Sequence, residues 1–438
     1  MFLKLSYNNL LNIFKKYKDN FTYISIISSD RIIGLLIIYF IVRKISDDNF
    51  AFWTQVQFLP GLMSGILALG LGRGILRLLV DNKIPQKIIS YTLSLIILIY
   101  LIICSISLLF ILYLDNISVN RFMGGDSNTY VVMIILSIFI ILEGFYEILG
   151  NFLRAKLSNL YLFFLGLKIL PRIIGALLIA VFNFDFWNSM YFYLIGSVIV
   201  IIPLFFFVLK CIKRFHPKKN FNINGLKAIL TKLTNYSFPI LISSLSIPLI
   251  QILMRQYVID TNGYDKLGVL AIYMSFIGML IYFPEAFQSY IFPKLVYVKD
   301  NNKNLKTSKN FILNQLSYSL IVSIFFCMIF LFIGTYFLSI LYPKNEWSNF
   351  DSLFISLASF TCIFYSSLQR IYLIYFPNKT IVLTYTLYIS LALALFFLYA
   401  EFLSGPLNAV LSFMLFFLFS TLIMITFFKI KNIQLLRR

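Results

Sequence analysis

The chain has 438 residues, 60% of them hydrophobic, 18% aromatic and only 12% charged, with a formal net charge of +20. A soluble domain carries about 25% charged residues, so this composition excludes a globular cytosolic protein. The basic excess does not signal nucleic acid either, because its lysines and arginines fall mostly in short gaps between apolar runs, where membrane topology uses them.

Apolar runs of membrane-spanning length recur along the whole chain. Twelve spans are predicted, at about 21–43, 52–80, 88–113, 129–153, 159–183, 189–212, 235–258, 267–295, 309–341, 351–376, 380–402 and 405–428. The first has no small-residue cleavage site behind it and reads as a retained helix, not a signal peptide. With the N-terminus inside, cations of the inner segments outnumber those of the outer loops (Arg43, Lys44, Arg121, Lys266, Lys344) about five to one, which places both termini in the cytoplasm. Trp53, Trp187 and Trp347 fall at outer helix ends, where an interfacial aromatic belt would put them.

The longest inner connection, 213–234, is basic and separates a six-span lobe at 1–212 from a second at 235–438. Its segment GLKAILTKL reads either as a short amphipathic helix lying on the membrane surface or as a solvated linker. A weak repeat supports the division: a shift of 217 places Phe50-Ala51 on Leu267-Gly268, Gly61 on Gly278 and Arg77 on Lys294. Halves with an even number of spans keep one orientation, so their symmetry axis runs along the membrane normal.

Several ionisable side chains lie where lipid disfavours them. An arginine at the centre of a membrane helix costs roughly 2.5–3.5 kcal/mol on the insertion scale, so such a residue points by default to function. Asp30 and Arg31 in span one, and Glu285 in span eight, come out near mid-membrane at a rise of about 1.5 Å per residue. Asp30 and Arg31 are adjacent and project from different helix faces, so each needs another partner. Arg73 stands between Gly72 and Gly74 in the inner half of span two, with no side chain beside it. Arg77 and Arg370 sit near inner ends, where they can snorkel. Glu143 and Glu147 in span four, and Lys168 and Arg172 in span five, occupy similar depths on neighbouring spans. They form either a structural cluster joining the two spans or part of a substrate contact. Arg255 in span seven, one turn after Gln251, lies close to the outer surface and either snorkels outward or lines an outer vestibule.

Prolines at 60, 171, 203, 239, 248, 284 and 293 favour kinks within spans. Enzyme chemistry finds little support. The one histidine, His216, sits in a basic loop, and Cys104, Cys211, Cys327 and Cys362 are far apart, without metal spacing or a disulfide framework. No phosphate-binding glycine loop ending in Lys-Ser/Thr is present, and the longest outer loop, about 114–128, carries only Asp115, Arg121 and Asp126. The expectation is a transporter, not an enzyme, with no cofactor and no nucleic-acid partner. An interior richer in cations than in anions suits an anionic cargo.

Two runs resemble a known family. ISDDNFAFWTQVQFLPGLMSGILALGLGRGILRLL is similar to the first outer turn and second helix of bacterial polysaccharide-unit flippases, members of the multidrug/oligosaccharidyl-lipid/polysaccharide exporter superfamily. The run from Tyr236 to Leu295, with Pro239, Gly268, Tyr273 and Pro293, resembles that family's seventh and eighth helices. Where many relatives carry an acidic residue late in the seventh helix, this chain has Gln251 and Arg255. The resemblance implies an all-α polytopic membrane protein, with about twelve transmembrane helices in two six-helix lobes around a central cavity, here cationic. It implies a flippase moving undecaprenyl-pyrophosphate-linked oligosaccharide across the bacterial cytoplasmic membrane by alternating access, for O-antigen, capsule or similar surface polysaccharide. Arg31, Arg73, Lys168, Arg172 and Arg255 are then the substrate-binding candidates. Asp30 and Glu285 are candidates for coupling to H+ or Na+, and other polysaccharide-assembly membrane proteins are candidate partners. A lipid-linked peptidoglycan precursor flippase and a multidrug exporter of the same superfamily are the alternatives. From a different class, the alternative is a membrane polysaccharide polymerase or ligase.

Overall fold

The computed structural model describes residues 32–67, 70–72, 74–75, 96–106, 129–156, 158–182, 186–214, 223–280, 305–399 and 405–436. Twelve helices lie among them, one for each predicted span. They are α1 (Ile32–Val42), α2 (Asp47–Leu67), α3 (Ile96–Ile106), α4 (Thr129–Lys156), α5 (Ser158–Ala180) and α6 (Phe186–Arg214), followed by α7 (Ile223–Asn262), α8 (Lys266–Leu280), α9 (Leu305–Leu341), α10 (Asn349–Tyr375), α11 (Asn378–Tyr399) and α12 (Pro406–Leu436). Five stretches among the described residues meet the length and hydropathy of a membrane crossing: Leu136–Leu153, Leu233–Asn262, Leu320–Leu341, Asn349–Leu373 and Pro406–Phe427. The chain is a multi-pass membrane protein.

In lipid every backbone polar group needs an internal partner, which is why a chain this apolar folds as helices. Hydroxyls within the spans are satisfied the same way: Ser105, Ser197, Ser359 and Thr384 each donate to the carbonyl four residues earlier. The lipid-facing stripe is legible on α6, where Ile195, Ile199, Ile202 and Phe206 are exposed at helical spacing. On α5 the corresponding stripe is Leu170, Ile174 and Leu177.

The helices pack in two groups. In the first, α2 lies against α4, and α4, α5 and α6 pack on one another. Within it the Tyr100 hydroxyl of α3 donates to the Ile140 and Ile141 carbonyls of α4. In the second, α9 packs on α10, α10 and α11 on α12, and both α11 and α12 on α7. The α2–α7 pair joins the groups.

Two expectations are corrected. GLKAILTKL is not a separate surface helix: it forms early turns of α7, which runs unbroken for 40 residues through Pro239 and Pro248. At about 1.5 Å per residue α7 is about 60 Å long, twice the roughly 30 Å hydrocarbon core, so one end stands clear of the bilayer. Nor is Trp53 an interfacial anchor. It is 1% exposed and packed against the tilted Tyr193 ring and the edge of Phe186, because α2 and α6 bury their aromatic faces together.

Candidate functional site

Of the seven residues singled out as binding or coupling candidates, Asp30, Arg31, Arg73 and Glu285 lie outside the described residues, and of Lys168 only the backbone, in α5, is described. Arg172 and Arg255 are both described, and the structure puts them in different surroundings.

Arg255 lies on the α2–α7 seam. The two helices run antiparallel and hold one register along their length. Near one end the Arg255 guanidinium donates from Nη1 to Gln55 Oε1 at 2.6 Å and covers the Phe58 ring at 4.0 Å from its centroid. About 22 Å further along, just beyond α2, the chain again meets α7. There Gly70 has φ +66° and lies against the Ser237 carbonyl, 2.7 Å from where a Cβ would be. Only glycine meets both the left-handed backbone and that close approach. Gly74 likewise faces Ser237 and Leu233, while Gly72 faces Glu147 and Asn151 of α4. The residues flanking Arg73 thus touch one group of helices on one side and the other group on the other side.

Arg255 is 5% exposed and Gln55 is fully buried. The described partners of this guanidinium are one neutral carbonyl and one ring, and no described carboxylate comes within ion-pair distance of it. A buried charge is ordinarily paired, because the desolvation penalty amounts to several kcal/mol per ion. Arg255 therefore does not snorkel outward, and among the described residues it has no counter-ion of a structural pair. Tyr264, in the turn after α7, adds a second polar group: its hydroxyl is buried with no described partner. Burial raises the Tyr264 phenol above its ordinary range, Arg255 pulls it back down and Asp48 adds to the rise, so the phenol stays protonated and remains a donor.

Arg172 belongs to a cavity inside the first group of helices. It is lined by Phe139, Leu142, Glu143 and Tyr146 of α4, Pro171 and Arg172 of α5, and Tyr193, Ser197 and Val200 of α6. About 30 Å³ is free for water, room for about two molecules. At 100° per residue, Tyr193, Ser197 and Val200 sit on the side of α6 away from its lipid-facing stripe, so the cavity opens to the protein interior. The structure thus brings Glu143 and Arg172 to one place, as their depths suggested, and gives this cation an anion across the same small space.

The α1–α2 turn lies on the same face as the Arg255 end of the seam, and there the two groups meet a second time. Lys344 bridges to Asp47 at 3.0 Å and donates to the Ile45 carbonyl, and the Tyr342 hydroxyl donates to Asp47 at 3.0 Å. Arg43 donates to the Ile340 carbonyl at 2.6 Å, near the end of α9, where a cation also complements the helix dipole. The Phe50 ring packs on Gly268 and lies 5.8 Å from the Tyr342 ring. Phe50 and Gly268 are nearly equivalent positions in the internal repeat, and their contact is what a two-fold axis passing between α2 and α8 produces.

Sequence reasoning missed Gln55, Phe58 and Tyr264. The one available signal was a pair of glutamines, Gln55 and Gln57, in an otherwise apolar run. No local pattern pairs Gln55 with an arginine 200 residues away.

The described residues are those of an all-helical, multi-pass membrane protein whose two groups of helices meet along the α2–α7 pair. Within that class, the chain belongs to the polysaccharide biosynthesis protein family, whose model matches residues 17–273. No curated protein matches the chain significantly. Among solved structures it is similar to an outward-facing multidrug resistance MATE family transporter of the MOP superfamily, with TM-score 0.69 and 10% identity over 95% of this chain and 96% of that one. It is also similar to the lipid II flippase MurJ in an inward closed conformation, with TM-score 0.62 and 17% identity over 93% of this chain and 87% of that one. A MOP superfamily transporter from Pyrococcus furiosus, described as having a binding pocket of reversed polarity, aligns with TM-score 0.66 and 11% identity over 93% of this chain and 95% of that one. These likenesses establish the twelve-helix, two-lobe fold.

Proposed function

We propose that this protein flips an undecaprenyl-pyrophosphate-linked oligosaccharide from the inner to the outer leaflet of a bacterial cytoplasmic membrane, by alternating access between lobes at 1–212 and 235–438. The observation that carries this reading is Arg255, a buried guanidinium on the seam between the lobes whose described partners include no carboxylate. A site of that kind fits an anionic head group, which a guanidinium holds by charge-assisted hydrogen bonds. Membership of a polysaccharide biosynthesis family fits a saccharide on that head group. In this reading the α1–α2 face is the outer one and both termini are cytoplasmic. Arg31, Arg73 and Lys168 extend the cationic path inward, Arg172 serves the first lobe's own cavity opposite Glu143, and the lipid tail stays in the bilayer between helices.

Moving one negative charge outward against an inside-negative potential is favourable by about 2.3 kcal/mol per 100 mV, so the potential itself contributes driving force. Asp30 and Glu285 are the places where H+ or Na+ would couple. Loss of the gene tests the reading: lipid-linked oligosaccharide should accumulate on the inner leaflet while surface polysaccharide is lost. Unchanged surface polysaccharide with new drug sensitivity would mark a multidrug exporter instead. Accumulation of peptidoglycan precursor would mark a cell-wall flippase.

A further inference from the structure

We propose that Gln55 is a built-in stand-in for the cargo's phosphate: its side-chain carbonyl occupies Arg255 when the site is empty, and an arriving phosphate or pyrophosphate displaces it, so that anion binding releases α2 from α7. This inference rests on reading Arg255 as the anion-holding residue.

Three observations carry it. The Arg255–Gln55 hydrogen bond crosses between the lobes, because α2 belongs to one and α7 to the other. The acceptor is a neutral amide, and a phosphate oxygen makes a charge-assisted bond to the same guanidinium roughly twice as strong. A carboxylate at position 55 could not be displaced so readily. Finally, the buried Tyr264 hydroxyl supplies a second donor near the guanidinium that no described group accepts, as a site awaiting an anion would show.

The coupling has a structural outlet. Arg255 lies on the face where Asp47, Lys344, Tyr342 and Arg43 hold the lobes together by exposed or half-exposed bonds. Each of these is weak alone in water. Loss of the Arg255–Gln55 link removes a buried polar bond between α2 and α7, so that these weak bonds and apolar packing alone hold the face. An empty carrier stays shut on this face, and a loaded one is released.

The test uses full-length protein in lipid nanodiscs, with the native cysteines replaced and spin labels at Lys44→Cys and Glu346→Cys, exposed positions on the two lobes. Inorganic pyrophosphate is the probe, with binding and the inter-label distance both measured. In the otherwise unaltered protein, pyrophosphate should shift the distance distribution to longer values. Gln55→Glu should weaken pyrophosphate binding at least tenfold and keep the distance short. Gln55→Leu should lengthen the distance without pyrophosphate and tighten its binding. Tyr264→Phe should weaken binding several-fold without changing the empty-state distance. Binding that depends on Arg255 but is the same in Gln55→Glu and Gln55→Leu would overturn the stand-in role and leave the anion site intact. Absence of pyrophosphate binding, or binding indifferent to Arg255→Gln, would overturn the anion site and this inference with it.

Discussion

Two arginines within membrane-spanning helices of this protein live in opposite circumstances. Arg172 shares with Glu143 a small cavity roomy enough for water, and every lining residue comes from one group of helices. Arg255 sits between the lobes with a neutral amide and an aromatic ring. A cation facing an anion across a cavity within one group of helices is placed for packing and local solvation. A buried cation with no counter-ion among the described residues, placed where two groups of helices meet, is held at a cost to stability, and that cost is characteristic of sites that wait for a ligand.

The contrast predicts opposite signs. Arg172→Gln leaves Glu143 without its neighbouring cation and should lower stability in detergent by about 1–3 kcal/mol, read as a fall in the thermal midpoint, with pyrophosphate affinity nearly unchanged. Arg255→Gln removes a buried charge that has no counter-ion among the described residues and should leave the midpoint unchanged or raise it, while pyrophosphate affinity collapses. If both variants lose stability equally, the two arginines are one structural class and the distinction fails.

Smaller effects sharpen where the lobes touch. Gly70→Ala forces a left-handed backbone onto a residue with a Cβ, at about 1–2 kcal/mol, and drives that Cβ against the Ser237 carbonyl. A lower midpoint, together with loss of closure on the α2–α7 seam, should follow. Gly268→Ala places a methyl 2.9 Å from the Phe50 ring. The ring must move, so about 1 kcal/mol is expected, with the α1–α2 face loosened in spin-label distances. Asp47→Asn and Lys344→Met should each matter least. The pair is partly exposed, and a double-mutant cycle should give less than about 1 kcal/mol, fading with salt.

Much of this architecture is legible in the sequence because lipid is a demanding solvent. Each predicted span corresponds to a helix, since an apolar run of that length has few other ways to satisfy its backbone. The depths of Glu143 and Arg172 were readable from helix rise alone, and they do line one cavity. The failures have a common origin in long-range packing. Trp53 has the position of an interfacial residue but is claimed by Tyr193 and Phe186 of α6. GLKAILTKL has the composition of a surface helix but continues into α7 because nothing between Lys232 and Pro239 ends it. Arg255 could be flagged as misplaced, yet its partner is set by the antiparallel register of α2 and α7, which no local spacing encodes.

The most direct test of the central claim is translocation by Arg255→Gln. Purified protein is reconstituted into vesicles with a fluorescent undecaprenyl-pyrophosphate disaccharide, and arrival of the label in the opposite leaflet is followed by a membrane-impermeant quencher. The account predicts that the native protein moves the lipid and that Arg255→Gln moves it at least tenfold more slowly, a loss of about 1.4 kcal/mol or more, with folding intact. Translocation at the native rate by a well-folded Arg255→Gln would contradict it.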